Sequence, residues 1–512
     1  MGPDSRSNDV QKTIKPRTVS GLRDYASKWP APIIAGLFVF AWLAATSWMR
    51  PLSLPDEGRY VGVAWEMARS GNWLVPTLDT LPYFHKPPLF YWLTAGAISL
   101  FGAYEWAARL PTVLAASGAA LALFVFFRRW VDEKTGRIAV LILVTMPFFF
   151  GGSQFANMDM LVAVCICLSI LCAAEVVLAV KHSRPSHPLA LGAAYLFAGL
   201  GLLSKGLIGI VIPSIVIGSW LIAMRQPRLL LKLYSGGALI LFLAIAVPWF
   251  WITELRYPGF LDYFFIHHHV QRYLTGNFNG HQPFWFYVPV FAAVTLPWSA
   301  FLPWAVRSTG EDRRIRDLHL LMWIWLAAVL IFFSIPQSKL LGYVLPATPA
   351  LAGLVALSTV NRANTYFGSW RNVTGNALIG AVVSLAIVIG YAIHYRHDIS
   401  RVARQIRTEV EAGDHLVAIK HYPFSLSFYL HSVQPISVVD DWNPASVMGR
   451  DNWRKELYEA AKFDPRRGAN LLLKDAELAK AFCGGRTWVF SLETTNASKL
   501  GVSLLSSAED GC

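Results

Sequence analysis

Apolar runs of about 20 residues recur along the chain from Pro30 to about Tyr395, and each is long enough to cross a hydrocarbon core of roughly 30 Å as a helix. The pattern predicts spans near 31–49, 110–127, 138–152, 160–180, 188–203, 207–224, 233–252, 284–304, 318–334, 341–359 and 374–395, about eleven in all. One further apolar stretch, Pro88 to Gly102, has only about fifteen residues and follows Pro87, which suits the start of an interfacial helix better than the interior of a span. Beyond His397 the period changes. His415–Ile419, Pro435–Val439, Ala469–Leu473 and Trp488–Phe490 read as short strands, and Asn452–Lys462 reads as a helix. The expected architecture is a polytopic α-helical membrane protein with a small C-terminal α/β domain. Its parts are a basic tail (1–29), a membrane domain (30–396) with a long outer loop (51–109), and the α/β domain (397–512).

Composition agrees: 54% hydrophobic residues with 15% charged leaves too little polar surface to cover a soluble core. Charge adds orientation. Basic clusters at Arg6–Lys28, Arg128–Arg137, Lys181–Arg184, Arg225–Lys232, Arg307–Arg316 and Arg362–Arg371 belong on the cytoplasmic side with the N-terminus. Were Pro88–Gly102 to span, this arrangement would invert from Arg128 onward. An odd number of spans then places the α/β domain on the periplasmic side of a bacterial inner membrane. No cleavable signal peptide is evident. The net charge of +13 follows largely from these clusters, so a nucleic-acid partner is not expected. Cys165, Cys167 and Cys172 share one apolar helix and read as small packing groups, whereas Cys483 and Cys512 fall in the external domain, where a disulfide between them is expected.

With this topology the reactive side chains collect on the outer face. Asp56, Glu57, Arg59, Tyr60, Tyr83, His85 and Lys86 lie in the first outer loop, and Asn157 and Asp159 open the fourth span. Lys205 joins the fifth and sixth, His267–His269 and Arg272 follow the seventh, and Lys339 and Tyr343 separate the ninth from the tenth. Each has an ordinary alternative. Asp56 and Asp159 suit helix caps, the lysines suit interfacial anchors, and three consecutive histidines on a helix point about 100° apart, so they cannot all bind one ion. Their convergence is what suggests chemistry, because lysines and arginines gathered at one face suit a phosphate, and a carboxylate beside them suits a general base. No glycine-rich phosphate loop stands on the cytoplasmic side, so the phosphate is expected on a lipid. A transporter would instead place polar groups near the bilayer midplane, on broken helices and paired repeats.

Pro55-Asp56-Glu57-Gly58-Arg59-Tyr60, Tyr83-Phe84-His85-Lys86-Pro87-Pro88-Leu89 and Glu105-Trp106-Ala107-Ala108-Arg109-Leu110-Pro111 resemble the bacterial family of lipid A aminoarabinose transferases. With Asp159-Met160, Ser204-Lys205-Gly206, Ser338-Lys339 and Tyr343–Pro346, the chain is similar more broadly to the type-C glycosyltransferases that include protein O-mannosyltransferases. The resemblance implies inverting transfer of a sugar from a polyprenyl-phosphate (undecaprenyl-phosphate) donor to a lipid or glycan acceptor at the periplasmic face. Lipid A or another lipopolysaccharide component is the first expectation and a protein hydroxyl the second. It implies Asp56 as the catalytic carboxylate and Lys86, Lys205, Arg59 and Arg272 around the carrier phosphate, with Lys339 and Tyr343 as further candidates. Tyr60, Tyr83, Asp159 and Glu57 would shape the sugar and acceptor pocket. A divalent metal held by His85 with His267 is the one cofactor expectation, and it departs from the family pattern, which has glutamate where His85 stands. The chain also has fewer spans than that family's pattern.

Overall fold

The computed structural model describes residues 30–271, 280–306, 312–361, 370–394, 399–449, 451–477 and 486–491. Among them, six helical segments are long and apolar enough to cross a membrane: Glu105–Trp130, Met158–Lys181, Gly236–Arg256, Arg313–Ser334, Leu341–Thr359 and Arg371–His394. Ile34–Ala44, Ala190–Lys205 and Ile208–Ala223 are apolar but shorter. Two expected spans are not straight. Glu133–Val144 and Pro147–Ser153 meet at 69°, and Tyr287–Val294 and Trp298–Ala305 meet at 108°. Both breaks fall at prolines, Pro147 and Pro297, which have no N–H to give to the preceding turn and whose rings clash with it. Met158–Lys181 runs through the centre with 89% of its apolar window buried, packed against Ala190–Lys205, Glu105–Trp130 and Ile208–Ala223.

The stretch 51–109 forms a platform at one end of this bundle. Helix Asp56–Ser70 lies beside helix Leu89–Phe101, whose 13 residues rise only about 20 Å, short of a full crossing. Between them a small antiparallel hairpin pairs β1 (Thr77–Leu78) with β2 (Leu81–Pro82).

The α/β domain sits directly on this platform. Its parallel sheet runs β5-β4-β3-β6, built from β3 (His415–Ile419), β4 (Ile436–Val439), β5 (Leu472–Leu473) and β6 (Thr487–Ser491). Leu416 stands opposite both Ile436 and Trp488. The expected strand over Ala469–Leu473 shrinks to its last two residues, because Asp464 caps and Pro465 opens a helix through Leu471. Platform and domain share one apolar core in which Tyr60, Val61, Ala64 and Phe90 meet Leu416, Phe424, Phe428 and Trp488. The close approach depends on Gly62, where a Cβ would stand 2.9 Å from the Phe424 carbonyl oxygen. The expected Cys483–Cys512 disulfide lies outside the described residues.

Two sets of buried charges pin these layers. Glu57, expected in a sugar pocket, is instead fully buried, because the helical turn of about 100° between neighbours swings it away from Asp56 and into the core. Arg50 and Arg109 each grip both of its oxygens, and the backbone N–H groups of Ser53 and Ala156 donate to it at 2.9 and 2.7 Å. Burial alone pushes a carboxyl up, but Arg109 and Arg50 outweigh it and hold Glu57 well below the usual carboxylate range. Glu66 takes hydrogen bonds from the Thr77 hydroxyl (2.7 Å) and from the N–H groups of Asp79 (2.8 Å) and Thr80 (2.9 Å). Asp79 in turn accepts the Ile436 N–H of β4 at 2.8 Å.

Glu57→Ala leaves two guanidiniums buried without their carboxylate and should destabilise the protein by about 3–5 kcal/mol, read as a loss of folded yield or a lowered thermal midpoint in detergent. Burial pushes Glu66 up to about 7 despite the donors from Thr77, Thr80 and Asp79. Because this lies above the unfolded value of about 4.3, the native state holds a proton that the unfolded chain releases. The associated stability is full in acid and is lost as pH rises toward about 7. The thermal midpoint of Glu66→Gln should therefore fall less over that window than that of the wild type.

Candidate active site

The N-terminus of helix Asp56–Ser70 points its second face at the α/β domain. Asp56 and Arg59, one turn apart, form an ion pair, and the Asp56 side chain keeps 47% of its surface exposed. The other arm of Arg59 grips Glu456 from helix Trp453–Phe463 of the domain. The same guanidinium reaches the Tyr60 hydroxyl at 3.2 Å and lies over the Tyr60 ring, 4.7 Å from its centre. Glu456 also accepts the Tyr83 hydroxyl at 3.1 Å. Burial pushes both phenols up, and neighbouring carboxylates push them further against the opposing pull of Arg59, so both remain neutral donors.

One turn on, Glu459 repeats the device. Its carboxylate pairs with His85 Nε2 at 3.1 Å and accepts the Tyr263 hydroxyl at 2.9 Å, while the His85 ring stacks on Tyr83 with centres 4.7 Å apart. Lys86 follows His85, half-buried, just before helix Leu89–Phe101.

A second charge pair stands nearby. Asn157 caps helix Met158–Lys181 by accepting the Asp159 N–H, which fixes Asp159 at the helix mouth. Lys205, at the end of its own helix, pairs with Asp159 and sits over the Tyr343 ring at 4.5 Å. Asp159 lies within electrostatic reach of Tyr60, as do Asp56 and Glu456, so the second pair neighbours the first. Gly342 is required here, since a Cβ on it would stand 2.1 Å from an Asp159 carboxylate oxygen.

The structure thus brings together Asp56, Arg59, Tyr60, Tyr83 and His85, and joins Asp159 to Lys205 and Tyr343. Glu57 belongs to the core instead. Lys339 is buried with its ammonium held by the carbonyls of Gln282 (3.1 Å) and Pro336, so it fastens its own loop to 280–282 rather than facing a ligand. Arg272 and the His267 side chain lie outside the described residues. Among the described residues no three His, Cys, Asp or Glu side chains are grouped to hold a metal, and the His85 ring is engaged by Glu459.

Sequence reasoning missed Glu456 and Glu459, although their three-residue spacing on a predicted helix marks one face of that helix. It also missed Tyr91, and it gave Ser204 of the Ser204-Lys205-Gly206 motif no role of its own. Among the described residues both hydroxyls are buried without a protein partner; the Tyr91 ring lies 6.4 Å from that of Tyr60, and Ser204 precedes Lys205 in the chain.

The fold is that of a polytopic helical membrane protein that carries a small α/β domain. The structure superposes on ArnT from Cupriavidus metallidurans, solved bound to undecaprenyl phosphate, with a TM-score of 0.75 at 23% identity over 92% of this chain and 94% of that one. Residues 85–252 match the family model described as dolichyl-phosphate-mannose-protein mannosyltransferase. The chain is 32% identical over 373 residues to the undecaprenyl phosphate-alpha-4-amino-4-deoxy-L-arabinose arabinosyl transferase of Aeromonas hydrophila, covering 72% of this chain and 66% of that protein. It is 30% identical over 427 residues to the enzyme of the same name from Erwinia tasmaniensis, covering 78% and 76%. The chain belongs to this arabinosyl transferase family. The match spans 66% of the Aeromonas hydrophila protein and 60% of a relative from Aeromonas salmonicida.

Gly342→Ala should cost about 1–3 kcal/mol by overpacking against Asp159, and most of that cost should vanish in an Asp159→Ala background. A thermal-unfolding double-mutant cycle measures the coupling.

Proposed function

We propose that the chain transfers a 4-amino-4-deoxy-L-arabinose unit from undecaprenyl phosphate to a lipid acceptor of the lipid A type, at the periplasmic face of the bacterial inner membrane. The observation that carries the reading is Asp56, a half-exposed carboxylate fixed by Arg59, with the Asp159–Lys205 pair within electrostatic reach of the adjoining Tyr60. The relatives' names support the donor. The basic clusters at the opposite helix ends support the orientation.

In an inverting displacement the acceptor oxygen attacks the anomeric carbon while the bond from that carbon to the carrier phosphate oxygen breaks. The phosphate goes from a diester with one negative charge to a monoester with two. Cations that meet the added charge lower the barrier, because they bind the transition state better than the ground state. Lys205, Arg59 and the adjacent Lys86 are the groups for this, with the neutral Tyr60 and Tyr83 hydroxyls as donors to sugar or phosphate oxygens. Asp56 takes the proton when the acceptor is a hydroxyl and orients the acceptor when it is already an anion.

Purified protein, the undecaprenyl-linked donor and lipid A, followed by mass spectrometry of the lipid, test the reading. Asp56→Asn should lower turnover by about 10²–10⁴-fold with a thermal midpoint near wild type, and Lys205→Met by about 10²–10³-fold with a lowered midpoint, because Asp159 loses its ion partner. Near-normal turnover in Asp56→Asn removes that carboxylate from the mechanism, and absence of product from the wild type removes the substrate assignment.

A further inference from the structure

A cavity of about 960 Å³ lies behind the catalytic platform, between the end of the first apolar helix, the start of helix Glu105–Trp130, the last apolar helix and the α/β domain. Its two flanks differ in chemistry. Trp48, Met49, Ile389 and Ile393 line one side and are substantially exposed, Trp48 at 66% and Ile393 at 57%. They continue the surface of helix Arg371–His394, only 22% of whose apolar window is covered by protein. The other side carries Arg401, Arg404 and Arg407.

The arginines are presented by helix Ile399–Ile406, which buries Ile399, Ala403 and Ile406 against the domain and turns Arg401 and Arg404 away from it. Arg404 pairs with Glu105 and lies over the Tyr429 ring at 4.9 Å. Arg407 stands 3.3 Å from His431 Nε2. Among the described residues, Glu105 is the one carboxylate lining the cavity, against these three arginines and Arg50. Arg50 is already committed to Glu57. An apolar wall running into the bilayer beneath an arginine rim matches a molecule with acyl tails and an anionic head. Guanidiniums suit phosphate oxygens because their paired N–H groups meet two of them at once.

We propose that this groove binds the phosphate headgroup of an anionic lipid from the leaflet on the domain side, with Arg401 and Arg407 as the recognising groups and the flank of the last helix receiving the tails. The site is separate from the basin of Asp56 and Lys205, but it touches the same frame, since Arg50 lines the groove and grips Glu57 beside Asp56.

The full-length protein in nanodiscs of phosphatidylcholine with added phosphatidylglycerol tests this, with native mass spectrometry reading the lipids retained on release. Wild type should retain phosphatidylglycerol over phosphatidylcholine by roughly tenfold or more, the preference expected of two arginines at a lipid surface. Arg401→Ala/Arg407→Ala should lose most of that preference, and Arg401→Lys/Arg407→Lys should keep much of it. Arg466→Ala, at an exposed position elsewhere on the domain, should leave it unchanged. Inorganic phosphate added in excess should not displace the lipid. Equal retention of both lipids by the wild type overturns the proposal. So does an unaltered preference in the folded double alanine variant, or complete displacement by free phosphate.

Discussion

The grip of Arg50 and Arg109 on Glu57 is the constraint around which the working end of this protein is arranged. It ties together four segments far apart in sequence: the exit of the first apolar helix, the platform helix, the start of Glu105–Trp130 and the turn at Gln154–Ala156. Two guanidiniums around one carboxylate leave a positive excess, which is spread onto the carbonyls of Ser47, Arg50, Pro51 and Gln154. Such a cluster is a poor source of net stability, because desolvating three charges offsets most of their attraction. What it provides is register. The helix rotation it accompanies sends Glu57 inward and leaves Asp56 at the surface.

The α/β domain has a direct part in the site. Glu456 and Glu459 reach from one face of its helix into the platform, where they hold Arg59, Tyr83, His85 and Tyr263. These bonds lie at the edge of an apolar core shared by both layers, so the domain and the first loop form one body there. Loss of the domain would leave Arg59 paired with Asp56 and would remove the carboxylates that Tyr83 and His85 meet. Positioning of the candidate catalytic residues therefore depends on residues some 400 positions downstream.

Much of this was legible in the sequence. The apolar runs locate the helices, and loop charge gathers the reactive residues on one face. The motifs around Asp56, His85 and Arg109 point to the family. Periodicity could not tell which of two adjacent acids faces the core, because Asp56 and Glu57 both suit a helix N-terminus and only the guanidiniums supplied by distant segments decide between them. For the same reason Lys339 reads as a phosphate ligand until the carbonyls around it are seen. Glu456 and Glu459 sit on an ordinary amphipathic helix, and nothing local distinguishes a solvated acidic face from one that docks on arginine and histidine. The bends at Pro147 and Pro297 were signalled by the prolines themselves, yet hydropathy averaged over a window passes across them.

The charge balance of the basin bears on how it would handle a phosphate. Sequence alone suggested a field of cations with few acids, but Arg59 is shared between Asp56 and Glu456, and Lys205 is paired with Asp159. A basin of bare cations would bind the singly charged donor tightly and gain little more as the second charge developed. Cations already held by carboxylates attract the donor less, and they are fixed in place before it arrives. In the proposed reaction, the growing charge on the phosphate would compete more strongly with those carboxylates for the same N–H donors as the glycosyl bond breaks. The gain in interaction would then fall late, when the carrier phosphate approaches its doubly charged form, and that is where an interaction accelerates a chemical step.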